Sequence, residues 1–285
     1  MTEAEKQYID LYTEASEAIK EHSAEVMNAV RDRAFEDFRR QGFPTRKVER
    51  YKYTDMEKIF APNYGLNINR IEFPVDPYAA FRCDVPNLST LLYFVVNDAF
   101  YEKRLPNVQP EEGVVIGSLR KAAEEHPELI ARYYARIAKT EEDAITALNT
   151  MLAQDGLFIY VPKNVQMEKC VQIINILRAD VSMMVNRRVL IVMEEGAKAK
   201  FLFCDHTADD HDFLATQVIE AYVGDNASLD LYCMEETHYK NHRVSNVYIE
   251  QQRDSRVNHN VITLHNGVTR NRLDLVFKGE GAECY

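Results

Sequence analysis

Through most of the second half of the chain, apolar and polar residues alternate with a two-residue period, in strand–turn–strand units that keep returning. One unit runs Val189-Leu190-Ile191-Val192-Met193, turns at Glu195-Gly196-Ala197 and continues as Lys198-Ala199-Lys200-Phe201-Leu202-Phe203. The next has Val218 to Val223, a turn at Gly224-Asp225-Asn226, and Ala227 to Tyr232. A third runs from Val247-Tyr248-Ile249-Glu250 through Arg253-Asp254-Ser255 to His259, and a fourth from Leu273 to Phe277 and on through Gly279-Glu280-Gly281. A fainter copy precedes them at Leu157 to Val161, Pro162-Lys163-Asn164 and Val165-Gln166-Met167. The turns recur about every 27 to 32 residues, a spacing that signals a solenoid.

With the first residue after each turn as origin, Ala197, Ala227, Ser255 and Ala282 align. Two positions on stand Ala199, Leu229, Val257 and Cys284; then come Phe201, Leu231 and His259, and then Phe203, Cys233 and Val261. The interleaved positions hold Lys198, Ser228, Arg256 and Glu283, then Lys200, Asp230 and Asn258. Each strand thus has one apolar and one polar face. The shared phase predicts coils stacked in register, each burying its neighbour's apolar side, which is a β-helix. An antiparallel sandwich of unrelated hairpins would alternate too, and pattern alone leaves it open.

The first half reads differently, and a division near residue 145 follows: a helical and mixed region over 1–145 and a β-helix over 146–285. From Glu3 to Gln41, Tyr8, Leu11, Tyr12, Ala15 and Ile19 fall at helical steps, and Val26, Met27, Val30, Ala34, Phe35 and Phe38 extend the stripe into a second segment. Gly42-Phe43-Pro44 stops it. Pro62 to Pro86, rich in prolines and aromatics, reads as irregular connection. Leu91 to Val96 and Val114-Val115-Ile116 read as short buried strands. Leu119 to Ala138 reads as helix broken at His126-Pro127, and Ala144 to Ala153 as a last helix before the first coil.

A chain of 285 residues with net charge −11 has ample core and an unfavourable field for nucleic acid or anionic membrane. No apolar run is long enough to span a bilayer. The acidic, amphipathic N-terminus does not resemble a signal peptide, and five scattered cysteines do not resemble a disulfide framework. A cytoplasmic location is the expectation. No phosphate-cradling glycine loop, G-x-S-x-G elbow or H-E-x-x-H helix occurs, so no enzyme activity is expected and no catalytic residue is assigned.

Cys204, His206 and His211 cluster in sequence, as do Cys233, His238 and His242, with His259 and His265 further on. These are ligand types for zinc or iron, and an autonomous metal-binding module built on them is one alternative. No C-x-x-C pair anchors it, however, and the register points Cys204 outward but Cys233 and Cys284 inward. His206, His211, His238 and His242 fall in expected loops, so no metal or cofactor residue is assigned. His259, inward between Val257 and Val261, is the oddest of the set, and a buried hydrogen bond is its expected use. A carbohydrate-active β-helix enzyme with Asp230, Glu235 and Glu236 on one outward face is a further alternative.

The basic run Arg39-Arg40, Arg46-Lys47, Arg50 and Lys52 is interleaved with Glu36, Asp37, Glu49 and Asp55, which cancel its field. Within it, Gly42-Phe43-Pro44, Glu49 and Tyr51-Lys52-Tyr53-Thr54 resemble a glycine–leucine–proline, glutamate, tryptophan–lysine–tyrosine–threonine segment of the SufB/SufD family of the SUF iron–sulfur cluster assembly machinery, with Tyr51 where that family has tryptophan. Ala147-Leu148-Asn149-Thr150-Met151 with Asp155-Gly156-Leu157 to Pro162 resembles the entry of that family's β-helix. Asn271-Arg272-Leu273 followed by Gly279-Glu280-Gly281-Ala282-Glu283 is similar to its third signature. The Tyr51 to Thr54 segment is closer to the SufD branch than to the SufB branch.

The resemblance implies a right-handed parallel β-helix behind an N-terminal helical region, in a scaffold that is not an enzyme. It implies pairing with a SufB-like paralogue and a SufC-like ATPase, and a part in iron acquisition and cluster assembly. No stably bound cofactor is expected; iron or an iron–sulfur cluster would be held transiently and only in the full complex. Family members continue past a point comparable to Tyr285 into further coils and a C-terminal helical region, so a β-helix incomplete at its C-terminal end, truncated there, is expected. None of the histidines here matches the family's interface histidine. An uncovered last coil would favour self-association.

Overall fold

The repeated units fold into two parallel sheets that share one interior. The structure, a computed structural model, describes residues 1–80 and 90–285, so the end of the Pro62–Pro86 connection lies outside the described residues. The helical region supplies α1 (Glu3–Glu21), α2 (Glu25–Asn28), α3 (Arg31–Gln41), α4 (Met56–Phe60) and the short α5 (Pro77–Ala80). Then follow β1 (Thr90–Val96), β2 (Ala99–Phe100), β3 (Val115–Ser118), α6 (Leu119–Glu125), α7 (Pro127–Tyr133) and α8 (Ala144–Leu152). The coils are built from β4 (Leu157–Val161), β5 (Cys170–Leu177), β6 (Met183–Met193), β7 (Lys198–Thr207) and β8 (Phe213–Val223). They continue with β9 (Ser228–Glu236), β10 (Asn241–Gln251), β11 (Arg256–His265), β12 (Val268–Phe277) and β13 (Glu283–Cys284). One sheet has the order β13-β11-β9-β7-β5-β1-β2 and the other β12-β10-β8-β6-β4-β3. Consecutive coils pair in parallel, and the antiparallel pairs β1–β2 and β3–β4 close the starting edges. The fold is a parallel β-helix.

The expected register holds pair by pair. Ala199 pairs with Leu229 and Leu229 with Val257, Phe201 with Leu231 and Leu231 with His259, Phe203 with Cys233 and Cys233 with Val261. On the facing sheet Val189, Ile219, Val247 and Leu273 form the matching row. The inward side chains of both sheets, among them Ile173, Ile191, Phe201, Ile219 and Leu231, make one buried cluster. Each such side chain contributes about 1.5–3 kcal/mol. Strands β1 and β3, from before residue 145, join these sheets directly.

One corner of every coil is built the same way. Asn164, Gly196, Asn226, Asp254 and Gly281 all have left-handed backbone, with φ between 54° and 71°. Stacked above one another, they hydrogen-bond along the column, Asn164 N donating to Glu195 O and Gly196 N to Asp225 O, each at 2.8 Å. A Cβ on Gly196 would stand 2.4 Å from Asn164 Oδ1, and one on Gly281 2.2 Å from Asp254 Oδ1. Asn and Asp tolerate this conformation, and glycine fits where the neighbouring amide or carboxylate takes the space.

The helices cover the outer face of the six-stranded sheet. Thr2 and Glu5 form a capping box that starts α1. Tyr8, Tyr12, Phe38, Phe60 and α8 pack against Met184, Leu214 and Val244, while Leu119, Ile130 and Tyr134 pack on Phe158, Leu190 and Tyr222. Arg31, fully buried, donates to Met151 O at 2.8 Å and so caps the C-terminal end of α8. The expected helix to Ala138 stops at Tyr133: Ala135 turns left-handed, with φ of 57°. The amides of Ala135, Arg136, Ile137 and Ala138 then converge on the carboxylate of Glu220 in β8. Glu220 also pairs with Arg188 at 2.5 Å, both side chains being fully buried. No helix among the described residues is long and apolar enough to cross a membrane.

Candidate functional site

Beyond Phe203 and Cys233 the inward row turns polar. Asn175, Asp205, Glu235 and Thr263 stack in register on one sheet, facing Arg187, Gln217, Ser245 and Asn271 on the other. Arg243, one inward step from Ser245, enters the same layer. Asp205 lies between the two arginines: one carboxylate oxygen takes Arg187 Nη1 and the other takes Arg243 Nη1 at 2.8 Å. Arg187 also donates to Asn97 O, and Arg243 to Asn271 Oδ1. Glu235 accepts from Thr263 Oγ1, Thr269 Oγ1 and Asn266 Nδ2 at 3.0, 2.7 and 2.6 Å. Burial raises its pKa against the pull of Arg243 and these hydrogen bonds.

Glu235 is therefore not an outward residue. It shares the inward phase of Leu231 and Cys233, while Asp230 and Glu236 point the other way, so the three carboxylates do not share a face. Cys233 points inward, and burial pushes its thiol up to about 12, which keeps it protonated and poor as nucleophile or metal ligand. Cys204 points outward but is buried among Phe94, Ile174 and Ile176, with Tyr78 and Met234 alongside. The two cysteines lie on opposite sides of one sheet. His206 and His242, expected in loops, belong to β7 and β10, because those strands run further than the apolar alternation alone marks. His211 and His238 lie in corners, where His238 Nε2 stands 3.1 Å from Asp210 Oδ1, and His265 ends β11. Among the described residues, no three of His, Cys, Asp or Glu come together as a metal site.

His259 bonds through Nδ1 to Leu231 O at 3.2 Å, and burial lowers its pKa below 6.5. Its folded pKa lies below its unfolded one, so its stabilising contribution is present above about pH 6.5 and is lost as pH falls below that value. His206 and His242 shift in the same direction. His259→Phe should therefore flatten the decline in Tm between about pH 7 and pH 5. Equal slopes for variant and parent would refute this assignment.

A second buried junction joins the three segments that carry the family resemblance. Asp143 caps α8 through the amides of Ile145 and Thr146, and accepts from Tyr51 Oη at 2.6 Å, Arg272 Nη1 at 2.8 Å and Asn246 Nδ2 at 3.0 Å. The Arg270 guanidinium lies 3.8 Å over the Tyr51 ring. Tyr51 of the first segment, the helix of the second and Arg272 of the third thus meet at one carboxylate. Tyr51→Phe should cost about 1.5–3 kcal/mol, the worth of a hydrogen bond to a charged group. It should appear as a lower urea midpoint with unchanged m-value.

Sequence comparison agrees with this architecture. A model of the SufBD protein N-terminal region matches residues 2–173, and one of the SUF system FeS cluster assembly SufBD core domain matches residues 175–285. The chain belongs to the SufBD family of SUF-system iron–sulfur cluster assembly proteins. Among its relatives is the iron–sulfur cluster assembly protein SufD of Bacillus subtilis, 29% identical over 185 residues that cover 64% of this chain and 41% of that protein. A SufBD family protein of Synechocystis is 32% identical over 124 residues, covering 42% of this chain and 25% of that protein. A chloroplastic SufBD family protein of Arabidopsis thaliana is 32% identical over 122 residues, covering 42% of this chain and 21% of the relative. The matched stretches span less than half the length of these relatives.

Proposed function

We propose that the chain serves as a non-catalytic, SufD-like scaffold in a cytoplasmic SUF assembly complex, pairing with a SufB-like paralogue and a SufC-like ATPase. The supporting observation is what its buried charges do. Arg187, Asp205, Arg243 and Glu235 form ion pairs with one another inside the solenoid, and Arg188 and Glu220 pair beneath the helices. These groups hold coils and helices in place. Iron or a nascent cluster would be cargo of the whole assembly.

The test is co-purification of the tagged chain with SufB-like and SufC-like proteins, beside a full-length SufD relative. Capture of either partner by the chain supports the role. Failure of both baits removes it, and capture by the relative alone assigns the contacts to the part this chain does not match. Metal analysis after anaerobic purification, repeated with Cys204→Ala and Cys233→Ala, should show no metal that depends on either cysteine.

The edge of β12 has no partner among the described residues, and Val268, Leu273, Val276 and Phe277 on it are exposed. Such an edge accepts a further strand. Light scattering should show mass rising with concentration, and a constant monomer mass would count against it.

A further inference from the structure

Hydrogen-bonding capacity goes unused at particular atoms of the interior layer. Asn175 Nδ2 and Arg187 Nη2 are buried and have no partner among the described residues. Both residues line one cavity of about 10 Å³, whose wall also carries Asp98. A second cavity of about 10 Å³ lies among Arg187, Asp205, Glu235, Asn241 and Arg243. Here both side-chain polar atoms of Asn241 have no partner among the described residues. Arg243 Nε, although 3.1 Å from Glu235 Oε1, is not aligned to donate to it.

Volume and charge together select the occupant. A space of about 10–15 Å³ holds one water, provided two to four polar groups receive it. The layer already balances two arginines with two carboxylates. An added anion would therefore meet Asp205 and Glu235 at close range, and an added cation would meet Arg187 and Arg243. A neutral molecule that both donates and accepts suits the unused atoms.

We propose that two ordered waters complete the interior polar layer. The first accepts from Asn175 Nδ2 and Arg187 Nη2 and donates to the Asp98 carboxylate. The second accepts from Arg243 Nε and donates to Asn241 Oδ1. The first ties β5 and β6 to the turn between β1 and β2, and the second joins two neighbouring inward positions of β10.

Oxygen-17 magnetic relaxation dispersion on the folded chain counts waters that stay longer than the tumbling time. Asn175→Leu and Asn241→Leu fill the cavities with methyl groups, so each should lose one water's share of the dispersion, and the double variant both. Undiminished dispersion in folded variants would overturn the proposal. If a variant fails to fold, a high-resolution crystal structure of the unaltered chain decides. A density peak within about 3.2 Å of both Asn175 Nδ2 and Arg187 Nη2 is expected. An empty cavity, or an anomalous bromide peak in either cavity after a bromide soak, would overturn it.

Discussion

Asp205→Ala is expected to destabilise the chain by about 3–5 kcal/mol, the cost of leaving a buried charge without its partner. Asp205 is the carboxylate that both interior arginines share, and all three side chains are almost wholly buried. Glu235 remains, already engaged with Thr263, Thr269 and Asn266, so one carboxylate faces two guanidiniums. An arginine cannot escape by giving up its proton, because its pKa lies too high. The penalty must therefore appear as lost stability, read as a lower midpoint in chemical denaturation. Asp205→Leu combined with Arg187→Met removes one charge of each sign and leaves Arg243 with Glu235. That double variant should recover most of the loss, since replacing a whole buried pair by apolar groups is often neutral. A single variant as stable as the parent would show that these charges are better hydrated than their burial indicates.

Glu220→Ala is expected to cost a similar amount, about 3–5 kcal/mol, by a different route. It strands Arg188, which then keeps Thr150 Oγ1 and the face of the Tyr134 ring. It also deprives the amides of residues 135–138 of their shared acceptor. The second effect is local and has its own readout. Hydrogen exchange at those amides should accelerate well beyond the change in the solenoid strands. Uniform acceleration everywhere would mean that the carboxylate contributes only to global stability.

The coil register was legible in the sequence because each strand marks its own two faces. A shift of one residue would turn every apolar side chain outward, so Ala197, Ala227, Ser255 and Ala282 could align in only one way. Extending the same count two positions beyond Phe203 and Cys233 reaches Asp205 and Glu235, charged residues at inward phase. Taking polarity as the sign of a strand's end hides that layer, and it also misplaces Glu235, His206 and His242. The pairing of β1 with β5 leaves no local trace, since Leu91 and Val171 meet across a long stretch of intervening chain. The end of α7 is similarly silent. Arg136 to Ala138 could continue a helix, and only the distant Glu220 draws their amides out of it.

The column of left-handed residues makes the two corners of each coil unequal carriers of change. At that corner three successive coils take the same four-residue path, through 194–197, 224–227 and 252–255. At the other corner it varies, from 178–182 and 208–212 to 237–240 and then only Asn266 and Gly267. A foreign peptide spliced beside the exposed Tyr239 would hang outside the ladder and leave the coils in step. One residue added at Asp225 would have to bulge out of the corner, as the one extra residue of 278–282 does, or else turn the next strand's interior face outward.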